Sequence, residues 1–508
     1  MAHGNVSRRY FFFGSVLAGT APAAGFGSVP SLRALGYKPF YEKLNVAAIG
    51  CGGQGAADLN DAARTENIVA LCDVDLARAG TSLTRFEKVP LYRDFRVMLD
   101  KEAKNIDACT IAVPDFMHAV VALACMQRGK HVYVEKPLTR TAWEARVLME
   151  AAAKYKVATQ MGNQGYSHEC HRVAAEIVWS GAIGDVTEVH ISTTPGTHPT
   201  ALKAPPPEES VPETLNWEAW LGAMPMRPYS SWYVPYNWRG FFDFGTGQIG
   251  NWATHSAGPV NHALQLGAPA SIEQVSISGK SDITFPDRAT IRLDFPARGG
   301  MPAVKVFYHD SARETDPDVY HVPGMENETI LPPADNLAEK GRVTRLVRPG
   351  AAAPRPRPQT PPGERVGAGG PGVKVFGAPR GPGPQPGILT GNGAVFIGTK
   401  GIMATRERGE GVWLLPAARW KEYVLPPQLL TRSPGHMADW IRACKGGDPS
   451  CSDFRIAGPF AEWLALAGIA FRVAGRLEWD AGNMRFANST EANKYVRPVF
   501  RKGWELKV

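Results

Sequence analysis

Beyond its first residues this sequence holds no uninterrupted apolar run approaching the ~18 residues that a membrane-crossing helix requires. It also lacks a basic stripe interleaved with aromatics, the footprint of a nucleic-acid partner. The net charge of +8 does not contradict this, because nine Lys/Arg against three Asp/Glu fall between Ala334 and Asn392 and leave the remainder close to neutral. Cysteine is scarce, and seven is an odd number, so no complete disulfide framework is expected. Cys51, Cys72, Cys109 and Cys125 read as small core residues, whereas Cys444 and Cys451 lie close enough in sequence to pair, a point the sequence leaves open. His168, Glu169 and His171 stand together without a third or fourth ligand at characteristic spacing, so no metal is expected.

What is present describes a globular protein, 44% apolar and 20% charged, and 508 residues are too many for one ordinary core. Ser7-Arg8-Arg9 followed by a modest apolar stretch and Ala21-Pro22-Ala23 reads as a twin-arginine (Tat) export signal, giving a signal and linker over residues 1–36 and a periplasmic or otherwise exported protein, with no membrane association after export. From Lys43 short β-branched runs alternate with helical stretches up to about residue 165, the pattern of a doubly wound parallel sheet. Over 166–508 strands such as TEVHISTT, IEQVSIS, ATIRLDF, AVKVFYH, AVFIGT and GVWLLP follow without regular helices between them. They predict an α+β domain with a large, mostly antiparallel open sheet. A Pro/Gly-rich basic segment at about 332–392 reads as a mobile surface insertion of unassigned role. Pro459 to Val473, carrying Glu462 and Arg472, reads as a packed amphipathic surface helix.

Gly50-Cys51-Gly52-Gly53-Gln54-Gly55 sits between a predicted strand and a helix. Gly50 permits the tight turn, Gly52 and Gly53 let the backbone approach a pyrophosphate, and Gly55 allows close packing of helix on strand. Asp73 ends the second strand, where a carboxylate accepts both ribose hydroxyls and repels a 2′-phosphate. Val74-Asp75-Leu76 bring no positive charge close by, so the expected cofactor is NAD rather than NADP. Pro114, His118 and Glu135 end the next strands on the same rim of the sheet, and Lys136 beside Glu135 is placed to donate to a substrate hydroxyl or oxyanion.

These motifs together, G-x-G-x-x-G with Asp73, P-D-x-x-H at Pro114–His118 and E-K-P at Glu135–Pro137, resemble the Gfo/Idh/MocA oxidoreductases. That family includes glucose–fructose oxidoreductase, inositol dehydrogenases and NAD-dependent N-acetylgalactosaminidases, and this sequence is similar to a Tat-exported branch of it. The resemblance implies a Rossmann domain joined to an open-sheet domain, a small carbohydrate as substrate, and a homo-oligomer. Lys136 matches the lysine of E-K-P, with a candidate cis bond before Pro137, and His255 matches the histidine of the family's D-x-x-x-H helix. The family's aspartate is Asn251 here, so an amide replaces the charge that would steady an imidazolium. Lys136, His255 and Asn251 are therefore the expected catalytic set. Trp217, Trp220, Trp232, Tyr233, Tyr236 and Trp238 cluster before this helix; one or two are expected to reach substrate, and Tyr236, Asn237, Trp238 and Arg239 are the candidate sugar contacts. With export the resemblance implies retained, internally recycled NAD. The net reaction is left between sugar oxidoreduction and a redox-neutral glycoside hydrolysis through transient C3 oxidation, with a non-catalytic sugar- or NAD-binding protein as the remaining reading.

Overall fold

A computed structural model describes residues 38, 41–342 and 385–507. The expected export signal over 1–36 lies outside the described residues, as do residues 343–384 of the expected insertion. Among the described residues no helix is long and apolar enough to cross a membrane, and all seven cysteines, Cys444 and Cys451 included, are free.

Six parallel strands form the first sheet: β1 (Asn45–Ile49), β2 (Asn67–Cys72), β3 (Leu91–Tyr92), β4 (Ala108–Ile111), β5 (His131–Glu135) and β6 (Thr159–Gly162), in the order β3-β2-β1-β4-β5-β6. Between them run α1 (Gln54–Ala62), α2 (Leu76–Arg85), α3 (Phe95–Glu102), α4 (Asp115–Met126) and α5 (Ala142–Tyr155). The order reverses between β1 and β4, and the crevice beyond the carboxyl ends of strands at such a point is where open α/β sheets receive ligands. The strands are buried on both faces, which is why they read as short apolar runs with no alternation.

After α6 (Glu169–Trp179) comes a second sheet of β7 (Val186–Ser192), β8 (Ser271–Ser278), β9 (Arg288–Phe295), β10 (Val304–Asp310), β11 (Gly393–Gly398), β12 (Gly401–Arg406), β13 (Gly411–Leu415), β14 (Arg476–Asp480) and β15 (Arg485–Phe486), with α7 (Gly258–Leu264) between β7 and β8. Their order is β13-β12-β11-β7-β10-β9-β8-β14-β15, and only the β7–β10 pair is parallel. In β9, Ala289, Ile291, Leu293 and Phe295 are buried while Arg288, Thr290, Arg292 and Asp294 are half-exposed, the period-2 signature of a sheet with one covered face.

The C-terminal part of the chain departs from the expected partition. α8 (His436–Cys444) returns to the first sheet, where Trp440 and Cys444 pack with Leu44, Val46 and Tyr133. The Lys445 ammonium there meets Glu66 at 2.9 Å with both side chains nearly sealed from solvent. α9 (Phe454–Ile469) is not the expected surface helix. Phe454, Phe460, Trp463 and Leu466 are fully buried, because the helix is wedged between α5 and the second sheet, with Trp463 edge-on to Phe295. Glu462 does not face solvent there but pairs at 2.9 Å with Arg146 of α5. Burying side chains of this size contributes about 1.5–3 kcal/mol each, so α9 ties the two sheets into one core.

Candidate active site

The glycine turn is built as its sequence demands. Gly50 adopts φ +84°, and a Cβ there would lie 2.4 Å from the Ala112 carbonyl oxygen; at Gly52 it would meet Arg78 at 2.6 Å, and at Gly55 it would strike the Gly50 carbonyl. A side chain at these positions would push the turn away from the helix N-terminus that follows, so the cradle fits a pyrophosphate laid against the amides of α1. Asp73 accepts from the Cys51 amide at 2.7 Å and the Asp75 amide at 2.9 Å, which fixes its carboxylate at the rim of the same cleft. Burial pushes its pKa up, and those amides pull it only partly back. A cleft of about 480 Å³ runs from this turn to Lys136, and Pro114, His118, Glu135, Asn251 and His255 line it. Size, cradle and acid together fit a dinucleotide, whose phosphates would rest on Gly50–Gly53 and whose ribose would face Asp73. One correction concerns charge: Arg78, five residues beyond Asp73, runs its side chain along Gly52, brings its guanidinium beside Gly53 and lines the cleft. The helical turn of α2 carries it back to the phosphate end, which the residues immediately after Asp73 did not reveal.

At the other end Lys136 leaves β5 through a cis bond to Pro137, and a capping box follows at once: Thr141 accepts from the Glu144 amide while Glu144 accepts from the Thr141 amide, fixing the start of α5. The Lys136 ammonium donates to the Asn251 side-chain oxygen at 2.6 Å and to the Asn251 carbonyl at 3.0 Å. The Asn251 amide nitrogen donates to Gln248 at 3.1 Å and to the Tyr236 hydroxyl at 3.3 Å. Burial, then the charge of Arg239, draws the Lys136 ammonium down to about 7.

Asn251 lies in a π-helical turn, Ile249–Ala253, that passes into an α-turn at Thr254–Ser256. The wider turn changes the regular helical spacing, yet Asn251 and His255 both face the cleft. His255 is buried, neither ring nitrogen has a hydrogen-bond partner among the described residues, and burial followed by the Lys136 charge holds it well below the usual histidine range, hence neutral. His118 donates from Nε2 to the Val113 carbonyl at 2.8 Å, leaving Nδ1 unpartnered. Glu135 accepts from Gln164 at 2.8 Å, and burial pushes its carboxyl up.

Of the aromatic cluster, Trp220, Tyr236 and Trp238 reach the cleft. Trp217 and Tyr233 stack with one another in the core. Arg239 lines the cleft with its guanidinium over the Tyr236 and Trp238 rings. Asn237, expected as a sugar contact, is fully enclosed and does not line the cleft; its place in a short 3₁₀ turn, Asn237–Gly240, rotates it inward between two cleft-facing neighbours. Sequence reasoning missed Arg408, which enters from the β12–β13 hairpin, stacks over Trp252 and lines the cleft. The hairpin sits so close to Gly165 that a Cβ there would strike the Arg408 carbonyl. Glu169 is used structurally, in an ion pair with Arg432 at 2.9 Å. Among the described residues no group of three or more His, Cys, Asp or Glu could hold a metal ion.

Comparison with known proteins agrees with this geometry. Residues 44–163 match the oxidoreductase family described as an NAD-binding Rossmann fold, and residues 171–284 match that family's C-terminal alpha/beta domain. The chain is 31% identical over 147 residues to inositol 2-dehydrogenase of Rubrobacter xylanophilus, which is 28% of this chain and 42% of that protein. It is 27% identical over 157 residues to levoglucosan dehydrogenase of Pseudarthrobacter phenanthrenivorans, 28% and 39% of the respective lengths. The matched stretch thus spans about two fifths of these curated relatives. The WlbA dehydrogenase of Bordetella pertussis, solved with NADH and UDP-GlcNAcA, superposes with TM-score 0.52 at 13% identity over 86% of this chain and 99% of that one. GenD2 from gentamicin A biosynthesis, solved with NAD, gives 0.51 at 15% over 90% and 100%. At such identities these structures speak for the fold. With the glycine cradle, Asp73 and the Lys136–Asn251–His255 constellation in place, residues 44–163 match the NAD-binding Rossmann domain and residues 171–284 the C-terminal alpha/beta domain of the Gfo/Idh/MocA oxidoreductases, with NAD as cofactor.

Proposed function

We propose that this protein is an exported oxidoreductase that acts on a sugar or glycoside with NAD retained and regenerated within each cycle. The observation that carries the reading is the Lys136 ammonium, held 2.6 Å from Asn251 in the same cleft as the glycine cradle and the unpartnered ring of His255. Bound NAD supplies reversible two-electron oxidation of a carbinol carbon, and the net result is either sugar oxidation balanced by reduction of a second substrate or redox-neutral hydrolysis through a transient C3 ketone and elimination. Lys136 orients the reacting hydroxyl and stabilises charge developing on its oxygen. His255, neutral and with free ring nitrogens, accepts the proton. Tyr236 and Trp238 offer ring faces to the sugar, and Arg239 offers donors. The hydrolytic outcome is supported by Asn251, whose uncharged amide cannot stabilise an imidazolium as the family's aspartate would. The twin arginine at Arg8-Arg9 supports export, and loading of the cofactor before export follows from the scarcity of free NAD outside the cytoplasm. Assembly into a homo-oligomer is supported by the family resemblance alone.

Denatured, desalted protein should release NAD(H); protein releasing none would overturn retention. Glycosides incubated in heavy water separate the two outcomes. Deuterium at C2 of the released sugar marks elimination, and its absence together with a reduced co-product marks oxidoreduction. A Lys136→Ala, His255→Ala variant matching wild type in every turnover assay would leave a non-catalytic binding protein.

A further inference from the structure

The substrate end of the cleft carries an excess of positive charge. Lys136, Arg239 and Arg408 all line it, and both guanidinium charges act on the Lys136 ammonium. Arg239 lies 4.2 Å from the Tyr236 ring centre and 4.1 Å from that of Trp238, with one N–H given to the Tyr236 carbonyl. Arg408 lies 5.4 Å over Trp252. Among the described residues neither guanidinium has a carboxylate within ion-pairing distance.

Two acids stand nearby against these three cations, both acting on the Lys136 ammonium and each also accepting a hydrogen bond. Asp115 accepts from the Thr246 hydroxyl at 2.6 Å, and Glu135 accepts from Gln164. The phosphates of the dinucleotide belong to the opposite end, where Arg78 stands against Gly52 and Gly53. A guanidinium held over an aromatic ring is fixed in place while its remaining donors stay available, an arrangement suited to a planar anion. Two such forks come from different parts of the chain, the 3₁₀ turn Asn237–Gly240 and the β12–β13 hairpin, and flank one ammonium.

Building on the sugar-oxidoreductase reading above, we infer that the substrate bears a carboxylate gripped by Arg239 and Arg408 beside Lys136, and so is a sugar acid or a glycoside of one. Arg408 is then a specificity-determining residue that a neutral sugar would leave with one guanidinium unanswered.

The test is calorimetric titration of the intact, NAD-containing protein with matched probes: D-glucuronate against D-glucose, D-galacturonate against D-galactose, D-gluconate against D-glucitol, and D-glucose 6-phosphate. At least one acid should bind about tenfold or more tightly than its neutral partner, as expected for charge-assisted hydrogen bonds, and added salt should narrow the gap. Arg408→Gln should abolish the preference, while Arg408→Lys should keep part of it; retained NAD(H) content reports that each variant is folded. No acid preferred in any pair, a preference that survives in Arg408→Gln, or tighter binding of the sugar phosphate would each overturn the inference. Turnover of neutral glycosides without acid preference would do so while leaving the proposed function standing, whereas protein that releases no NAD(H) would instead remove that reading.

Discussion

Replacing Asn251 by Asp exchanges the amide oxygen now 2.6 Å from the Lys136 ammonium for a carboxylate oxygen, the acid that the family resemblance implies for this position. Coulomb's law at that distance gives about 6 kcal/mol with an effective dielectric of ~20. Desolvation of the new carboxylate offsets much of this, and opposite charges in contact typically shift a titration by ~1–3 units. Lys136 titrates at about 7 in the native protein, so Asn251→Asp should raise its midpoint to roughly 8–10. The sign is fixed by charge: a neighbouring anion favours the ammonium, which then persists to higher pH. The assay needs no knowledge of the substrate. Only a neutral amine reacts with a small amine-directed reagent, so the rate at which the Lys136 peptide is labelled, followed by mass spectrometry across pH, reports the midpoint directly. A midpoint that stays near the native one, or falls, would refute the view that Asn251 holds Lys136 as a neutral amide acceptor in a poorly solvated cleft.

Gly52→Ala should leave less than about a tenth of the wild-type NAD(H) on purified protein, because its Cβ would press on Arg78 and widen the turn; near-normal content measured after denaturation would contradict the assigned cradle. Lys445→Ala strands the Glu66 carboxylate in the core and should cost ~3–5 kcal/mol in urea unfolding, with Lys445→Ala, Glu66→Gln recovering part of it; a loss under ~1 kcal/mol would mean that water reaches the pair. His255, neutral throughout because burial holds it well below the ordinary histidine range, should contribute no acid limb near pH ~6.5 to kcat/KM, and an inflection there that disappears in His255→Gln would show the imidazolium is populated.

Much of this was legible in the sequence where local pattern and tertiary role coincide. The glycine turn, Asp73 and the strand-end motifs at Pro114–His118 and Glu135–Pro137 lie at strand termini, and a parallel sheet gathers such termini on one edge whatever the details. Arg408 was not legible, because GIMATR did not read as a strand and the hairpin that carries the arginine went unseen. Asn237 misled because a 3₁₀ turn alternates inward and outward over single residues, a scale at which composition says nothing. α9 misled differently: the run carrying Glu462 looked like a surface helix, and only the partner Arg146, 316 positions earlier, turns that charge into a buried one.

Trp504 stands in the wall of the cleft with Asp94 and Phe95, its ring 6.3 Å from that of Phe95 and under the Arg96 guanidinium. A ribosome that has finished the glycine turn still has some four hundred and fifty residues to make before this wall exists. The nascent chain therefore presents the glycine turn long before Trp504 can join the wall of the cleft, and the cleft is complete only once synthesis has passed that residue.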